Sequence, residues 1–95
     1  MKGGSLYKIV SKNPEIKDFY IGMTTRSIKG RTIQHKSDSK RKDTKLYRFV
    51  RENGNWDNFE VKLIVEYDDI DKRALMDKEL HLIIELKPSL NTMYL

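Results

Sequence analysis

The chain of 95 residues contains no cysteine, which excludes disulfides and thiolate metal sites and suits a reducing compartment. Apolar runs are short. None approaches the roughly 18 residues of a membrane span, so no membrane partner is expected. The opening Met1-Lys2-Gly3-Gly4-Ser5 lacks the apolar stretch of a secretion signal. The expected location is therefore intracellular, in the cytoplasm or in a nuclear or viral compartment, and not secreted. No His, Cys and Asp cluster has zinc spacing, and no glycine-rich loop leads into Lys-Ser or Lys-Thr. Zinc chemistry and phosphate binding of the nucleotide-hydrolase type thus have no support.

What is present is charge, unevenly distributed. The net charge is +5, but the window from Thr24 to Arg51 holds ten basic residues against Asp38 and Asp43, a local +8. The remainder is −3. Such asymmetry points to a face that meets a polyanion, with a solvated lysine-rich surface as the plain alternative. An apolar fraction of 38% beside 35% charged residues fits one compact domain with a modest core.

The periodicity predicts the order β-β-α-α-β-α, a small, mainly antiparallel three-stranded α/β (α+β) fold over residues 1–95 with no separate recognition domain. Leu6 to Val10 reads as a strand, Asn13-Pro14 as a turn, and Phe19 to Met23 as the second strand of a hairpin. Gly22 within that strand marks a bulge or a close backbone approach. Thr24 or Thr25 is the expected cap of a helix running to about Lys36. Gly30 weakens that helix by about 1 kcal/mol and suggests room for a neighbouring backbone or a phosphate. A basic loop spans Ser37 to Asp43. A second helix follows from Thr44 to Glu52, with Leu46, Phe49 and Val50 as its apolar stripe and Gly54 just past its end. Trp56 and Phe59 are expected core anchors. Phe59, Val61, Leu63, Val65 and Tyr67 alternate with polar residues and Ile64 in the clearest strand. A long helix from Ile70 to Leu86 stops at Lys87-Pro88, and Leu90 to Tyr94 should pack on the body.

Several side chains stand out chemically. At about 100° per residue, Asp71, Lys78, His81 and Glu85 share the polar sector of the last helix, whereas Glu79 falls between Ile83 and Leu86. An inward carboxylate is costly unless it is paired, hydrogen-bonded or metal-bound. Arg31 and His35 stand one turn apart on one face. A guanidinium can hold the charge that builds on phosphate oxygens, and a histidine can position water or move a proton. Tyr7 and Tyr20 lie on adjacent strands of the hairpin, where packing and hydroxyl chemistry are both open.

The ordered set Ser5-Leu6-Tyr7, Tyr20-Ile21-Gly22, Arg31, His35, Glu79 and Asn91 resembles the GIY-YIG nuclease domain across almost the whole chain. The resemblance implies a metal-dependent endonuclease, a phosphodiester hydrolase acting on DNA, branched or single-stranded substrates included. It implies magnesium or manganese on Glu79 and a water nucleophile assisted by Tyr7. That base would need help from nearby cations such as Arg31, the metal or Lys8. Arg31 would stabilise the transition state, Tyr20 and His35 would orient and relay protons, and Asn91 would support the site. Arg26, Lys29, Lys36, Lys40, Arg41, Lys42 and Lys45 would contact backbone phosphates, in a monomer or weak homodimer. The first motif departs from Gly-Ile-Tyr at Ser5, and that change motivates a second reading: a nucleic-acid-binding module of the same fold that cuts weakly or not at all.

Overall fold

A computed structural model describes residues 3–91. Its elements are β1 (Gly4–Ser11), β2 (Phe19–Thr24), α1 (Ile28–Asp38), α2 (Lys45–Glu52), β3 (Phe59–Tyr67) and α3 (Lys72–Leu86), with a 3-10 turn at Trp56–Asn58 before β3. The sheet order is β2-β1-β3 and both pairings are antiparallel, so the predicted class and element order hold. Of the predicted C-terminal segment, Leu90 is buried and donates its backbone N–H to Phe19 O at 3.1 Å, while residues 92–95 lie outside the described residues.

The central strand explains the layering. Successive side chains of a strand point to opposite faces. Tyr7 and Ile9 therefore share one face with their cross-strand partners Gly22 and Tyr20 in β2 and Val61 in β3. Leu46, Tyr47 and Val50 of α2, with Trp56, Phe59 and Leu90, complete the core on that face. Leu6 and Ile21 fall on the opposite face, are buried, and lie under α3, which supplies buried Leu75 and Ile83. Each such side chain contributes about 1.5–3 kcal/mol by leaving water. The sheet is thus covered on both faces, which lets a chain of this length enclose two small apolar layers.

Several local expectations need correction. The cap of α1 is Ser27, whose Oγ accepts from Gly30 N–H at 3.0 Å. Thr24 is still paired with Ser5 in the sheet, and its hydroxyl serves the turn by accepting from Arg26 N–H. No neighbouring backbone crowds Gly30, since a Cβ there would meet only the cap oxygen of Ser27, at 3.2 Å. The helix runs on to Asp38, into the segment expected to be loop. The last helix starts at Lys72, with Asp71 as the cap that accepts from Ala74 N–H at 2.8 Å. In β3 the alternation breaks. Leu6 pairs with Val65 but Tyr7 pairs with Leu63, so Ile64 is the extra residue of a bulge. Leu63, one of the alternating apolar residues, is 52% exposed. Gly54 was placed correctly. Its φ of 97° lets Asn55 N–H reach back to Val50 O at 2.9 Å.

Candidate active site

Gly22 is the residue that lets the site form. It sits directly opposite Tyr7 in regular register, with no bulge, and a Cβ there would come within 2.5 Å of Tyr7 Cζ and Oη. The close approach anticipated from the sequence is therefore made by a side chain. The bare backbone of Gly22 gives the Tyr7 ring its place, and the hydroxyl is delivered to α1. Arg31 Nε donates to Tyr7 Oη at 3.2 Å, and His35 Nε2 lies 2.8 Å from the same oxygen. Residues 24 and 28 positions apart in sequence thus converge on one phenol. Tyr7 has no exposed surface. Burial raises its pKa, while the Arg31 hydrogen bond and charge work in the opposite sense.

His35 is wholly enclosed. Its ring stacks on Trp56 with centroids 5.8 Å apart and planes at 15°. Tyr20 meets it edge-on at 6.0 Å. Nδ1 lies 2.8 Å from the hydroxyl of Tyr47. Burial, followed by the Arg31 charge, lowers the His35 pKa to about 4, so the ring is neutral near pH 7. Tyr20 is half-buried, and desolvation raises its pKa, as do Tyr7 and Glu79 nearby.

Glu79 occupies the middle of the inward stripe of α3, one turn from buried Leu75 and one turn from buried Ile83. Glu79 therefore lies on the inward side predicted from the helical wheel, and His81 is exposed as expected. Desolvation raises the Glu79 pKa and the charge of Arg31 opposes that rise, which places the carboxylate in the electrostatic reach of the site. No cation of the described residues stands within ion-pair distance of it. Asn91 acts on the backbone of the second motif. Its Oδ1 accepts from Ile21 N–H and its Nδ2 donates to Ile21 O, both at 2.9 Å. Ile21 lies between Tyr20 and Gly22 on the edge strand β2, so the Asn91 amide substitutes for a missing neighbouring strand. Lys8 points to the face opposite Tyr7 by strand alternation, and it is not among the charges that shift that phenol.

Two open clefts meet at Arg31 and Gln34, which line both and are tied by a 2.9 Å hydrogen bond from the guanidinium to Gln34 Oε1. One, of about 230 Å³, is bounded by Tyr20, His35, Asp38, Lys42 and Tyr47. The other, of about 270 Å³, is bounded by Thr24, Arg26 and Lys72. The expected phosphate contacts Arg26, Lys29, Lys36, Lys40, Arg41, Lys42 and Lys45 are all exposed. Arg41 and Lys42 are, however, engaged with Asp38 at 3.0 and 3.5 Å. Tyr47, Gln34 and Lys72 escaped the sequence reading. Tyr47 sits beside Leu46 in a short amphipathic helix, where a buried aromatic residue reads as core. Nothing in its spacing ties it to His35.

Two tyrosines, an arginine, a histidine and a desolvated glutamate thus gather on a small antiparallel sheet beside clefts that carry basic side chains. The family model described as the GIY-YIG catalytic domain matches residues 3–93, and the chain belongs to that family. No curated protein and no solved structure matches the chain. Nuclease activity is the general function of the family, and its members typically use divalent metal ions. Among the described residues no group of three or more His, Cys, Asp or Glu could hold a metal ion. No helix among them is long and apolar enough to cross a membrane.

Proposed function

We propose that this chain is a metal-dependent endonuclease that hydrolyses phosphodiester bonds of DNA. The observation that carries this reading is the convergence of Arg31 and His35 on the buried Tyr7 hydroxyl, with Glu79 in electrostatic reach. Tyr7 is the base that takes a proton from the attacking water. Its hydroxyl is covered in the free protein and Arg31 is one of the groups covering it. A scissile phosphate that draws the guanidinium away opens the phenol to water and places two donors where negative charge grows. Tyr20 orients the phosphate, His35 handles the Tyr7 proton, and Asn91 holds the Tyr20-Ile21-Gly22 backbone in place.

The donor set fits a hard divalent cation, magnesium or manganese, held by Glu79 alone among the described residues, with phosphate oxygens and waters as the other ligands. Such an ion supplies charge neutralisation at the phosphate and the leaving oxygen. A desolvated carboxylate with no ion pair among the described residues is suited to that duty. Arg26, Lys29, Lys36, Lys40, Arg41, Lys42 and Lys45 hold the flanking phosphates.

The test is cleavage of supercoiled plasmid and of a branched DNA with magnesium, manganese or chelator, by wild type, Tyr7→Phe and Glu79→Ala. Metal-dependent nicks in wild type, reduced at least about 100-fold in either variant, are expected. Equal DNA binding by all three proteins with no product from any would instead make the chain a binding module. The change at Ser5 gives that alternative little support, since Ser5 is buried and paired on both sides within an intact β1.

A further inference from the structure

Tyr47 belongs to no part of the sequence pattern, yet its hydroxyl is 2.8 Å from His35 Nδ1, just as the Tyr7 hydroxyl is 2.8 Å from Nε2. A neutral imidazole carries one N–H and one lone pair. The two hydroxyls therefore play opposite roles, and Tyr7 fixes which is which. It has no exposed surface, and its other neighbour, Arg31, has only donors to offer. The Tyr7 proton must go to Nε2, because a buried donor without an acceptor is costly. The ring proton is then on Nδ1 and is donated to Tyr47 Oη.

Tyr47 lines the cleft shared with Asp38 and Lys42, and its hydroxyl has no other partner among the described residues, so the cleft is the direction left for its own proton. The result is one directed chain of donors: Arg31 Nε–H to Tyr7, Tyr7 O–H to His35, His35 Nδ1–H to Tyr47, and Tyr47 O–H to the cleft. Bonds aligned in this way polarise one another. The packing holds the chain in register. Trp56 stacks on the imidazole, and Thr44 Oγ1 caps α2 by accepting from the Tyr47 N–H at 3.3 Å.

We propose that Tyr47 is a positioning residue of the nuclease site, which holds His35 in the Nδ1–H tautomer and connects the buried Tyr7 hydroxyl to the solvent of the cleft. Its catalytic consequence rests on the nuclease reading above. As Tyr7 ionises, its O–H bond breaks and Nε2–H forms. Nδ1–H breaks as a new O–H forms on Tyr47, whose original proton passes to a cleft water. Three bonds to hydrogen break and three form, and the ring stays neutral throughout.

The decisive measurement is the imidazole ¹⁵N spectrum of the labelled full chain. The chain has two histidines, and His81→Gln assigns the signals of His35. Wild type is expected to show a protonated Nδ1 and an unprotonated Nε2. Tyr47→Phe keeps the ring but removes the acceptor, and is expected to move a substantial fraction of His35 to the Nε2–H form. In cleavage assays the same variant should lose about 10–100-fold in kcat with little change in KM. A wild-type ring protonated on Nε2 overturns the proposal, even if the variant does not fold. So does an unchanged tautomer in a folded Tyr47→Phe. Absence of cleavage by wild type would remove the nuclease reading alone, because the tautomer is read without turnover.

Discussion

At the residue scale, the site is built by burying groups that ordinarily seek water. His35 is the sharpest case: it is 1% exposed, yet both ring nitrogens are matched by hydroxyls. Its pKa is lowered from 6.5 to about 4, chiefly by burial. The sign of the linkage follows. Between those two values the unfolded chain binds the proton and the folded protein does not, so stability rises with pH through that window. The contribution is complete above about pH 6.5 and is lost as pH falls towards 4, to a total on the order of 3 kcal/mol. Urea unfolding at pH 4.5 and at pH 7 should therefore show a larger loss for wild type than for His35→Gln, which cannot titrate. Equal losses in the two proteins would mean that the ring is not desolvated as the packing implies. The sequence made Arg31 and His35 legible as a pair on one helical face. It did not reveal that both would converge on Tyr7, because convergence depends on Gly22 standing opposite that tyrosine in the hairpin register.

At the scale of elements, the strands and helices carried clear signals and their joints did not. The alternation of Phe59 and Val61 announced β3, but nothing local announced the bulge at Ile64 that leaves Leu63 exposed. A bulge satisfies the twist of the sheet as a whole and not the preference of any residue. The cap of α1 was misplaced for a similar reason. Thr24, Thr25 and Ser27 are all capable caps, and pairing of Thr24 with Ser5 removes it from the competition. Asn91 was legible as a site residue only by resemblance, and the structure supplies its physical work. It closes the outer edge of β2 at Ile21 with two hydrogen bonds. Asn91→Ala should leave one partly buried N–H and one C=O to water, lower stability by about 1–3 kcal/mol and loosen the strand that carries Tyr20 and Gly22. Thermal unfolding and amide exchange at Ile21 measure this directly. Unchanged protection of the Ile21 amide would show that the edge holds without the asparagine.

At the scale of the whole molecule, part of the basic window read from the sequence is engaged in contacts within the fold. Asp38 and Asp43 engage Arg41, Lys42, Arg48 and Arg51, and Arg51 also donates to the backbone carbonyls of Ser39 and Lys42, so much of the charge ties down a corner between α1 and α2. The pairs on exposed Asp43 contribute little stability and a phosphate can displace them, whereas Asp38 is itself buried. Meanwhile Lys72, outside the window in sequence, joins Arg26 at the second cleft because α3 begins there. The two clefts share Arg31, with Lys42 on one side and Arg26 and Lys72 on the other, and on the proposed nuclease reading they outline a track for one strand. Each phosphate contact made by a lysine releases counterions and contributes close to one unit to the slope of log affinity against log salt. Lys72→Ala should therefore weaken binding of a short DNA at low salt and reduce that slope by about one, whereas Lys78→Ala, on the polar outer sector of α3, should change neither. Fluorescence anisotropy titrations between 50 and 200 mM salt, within the range over which such slopes are read, provide the comparison. A Lys72→Ala slope equal to wild type would remove the second cleft from the strand's path and confine contact to the side of Lys42.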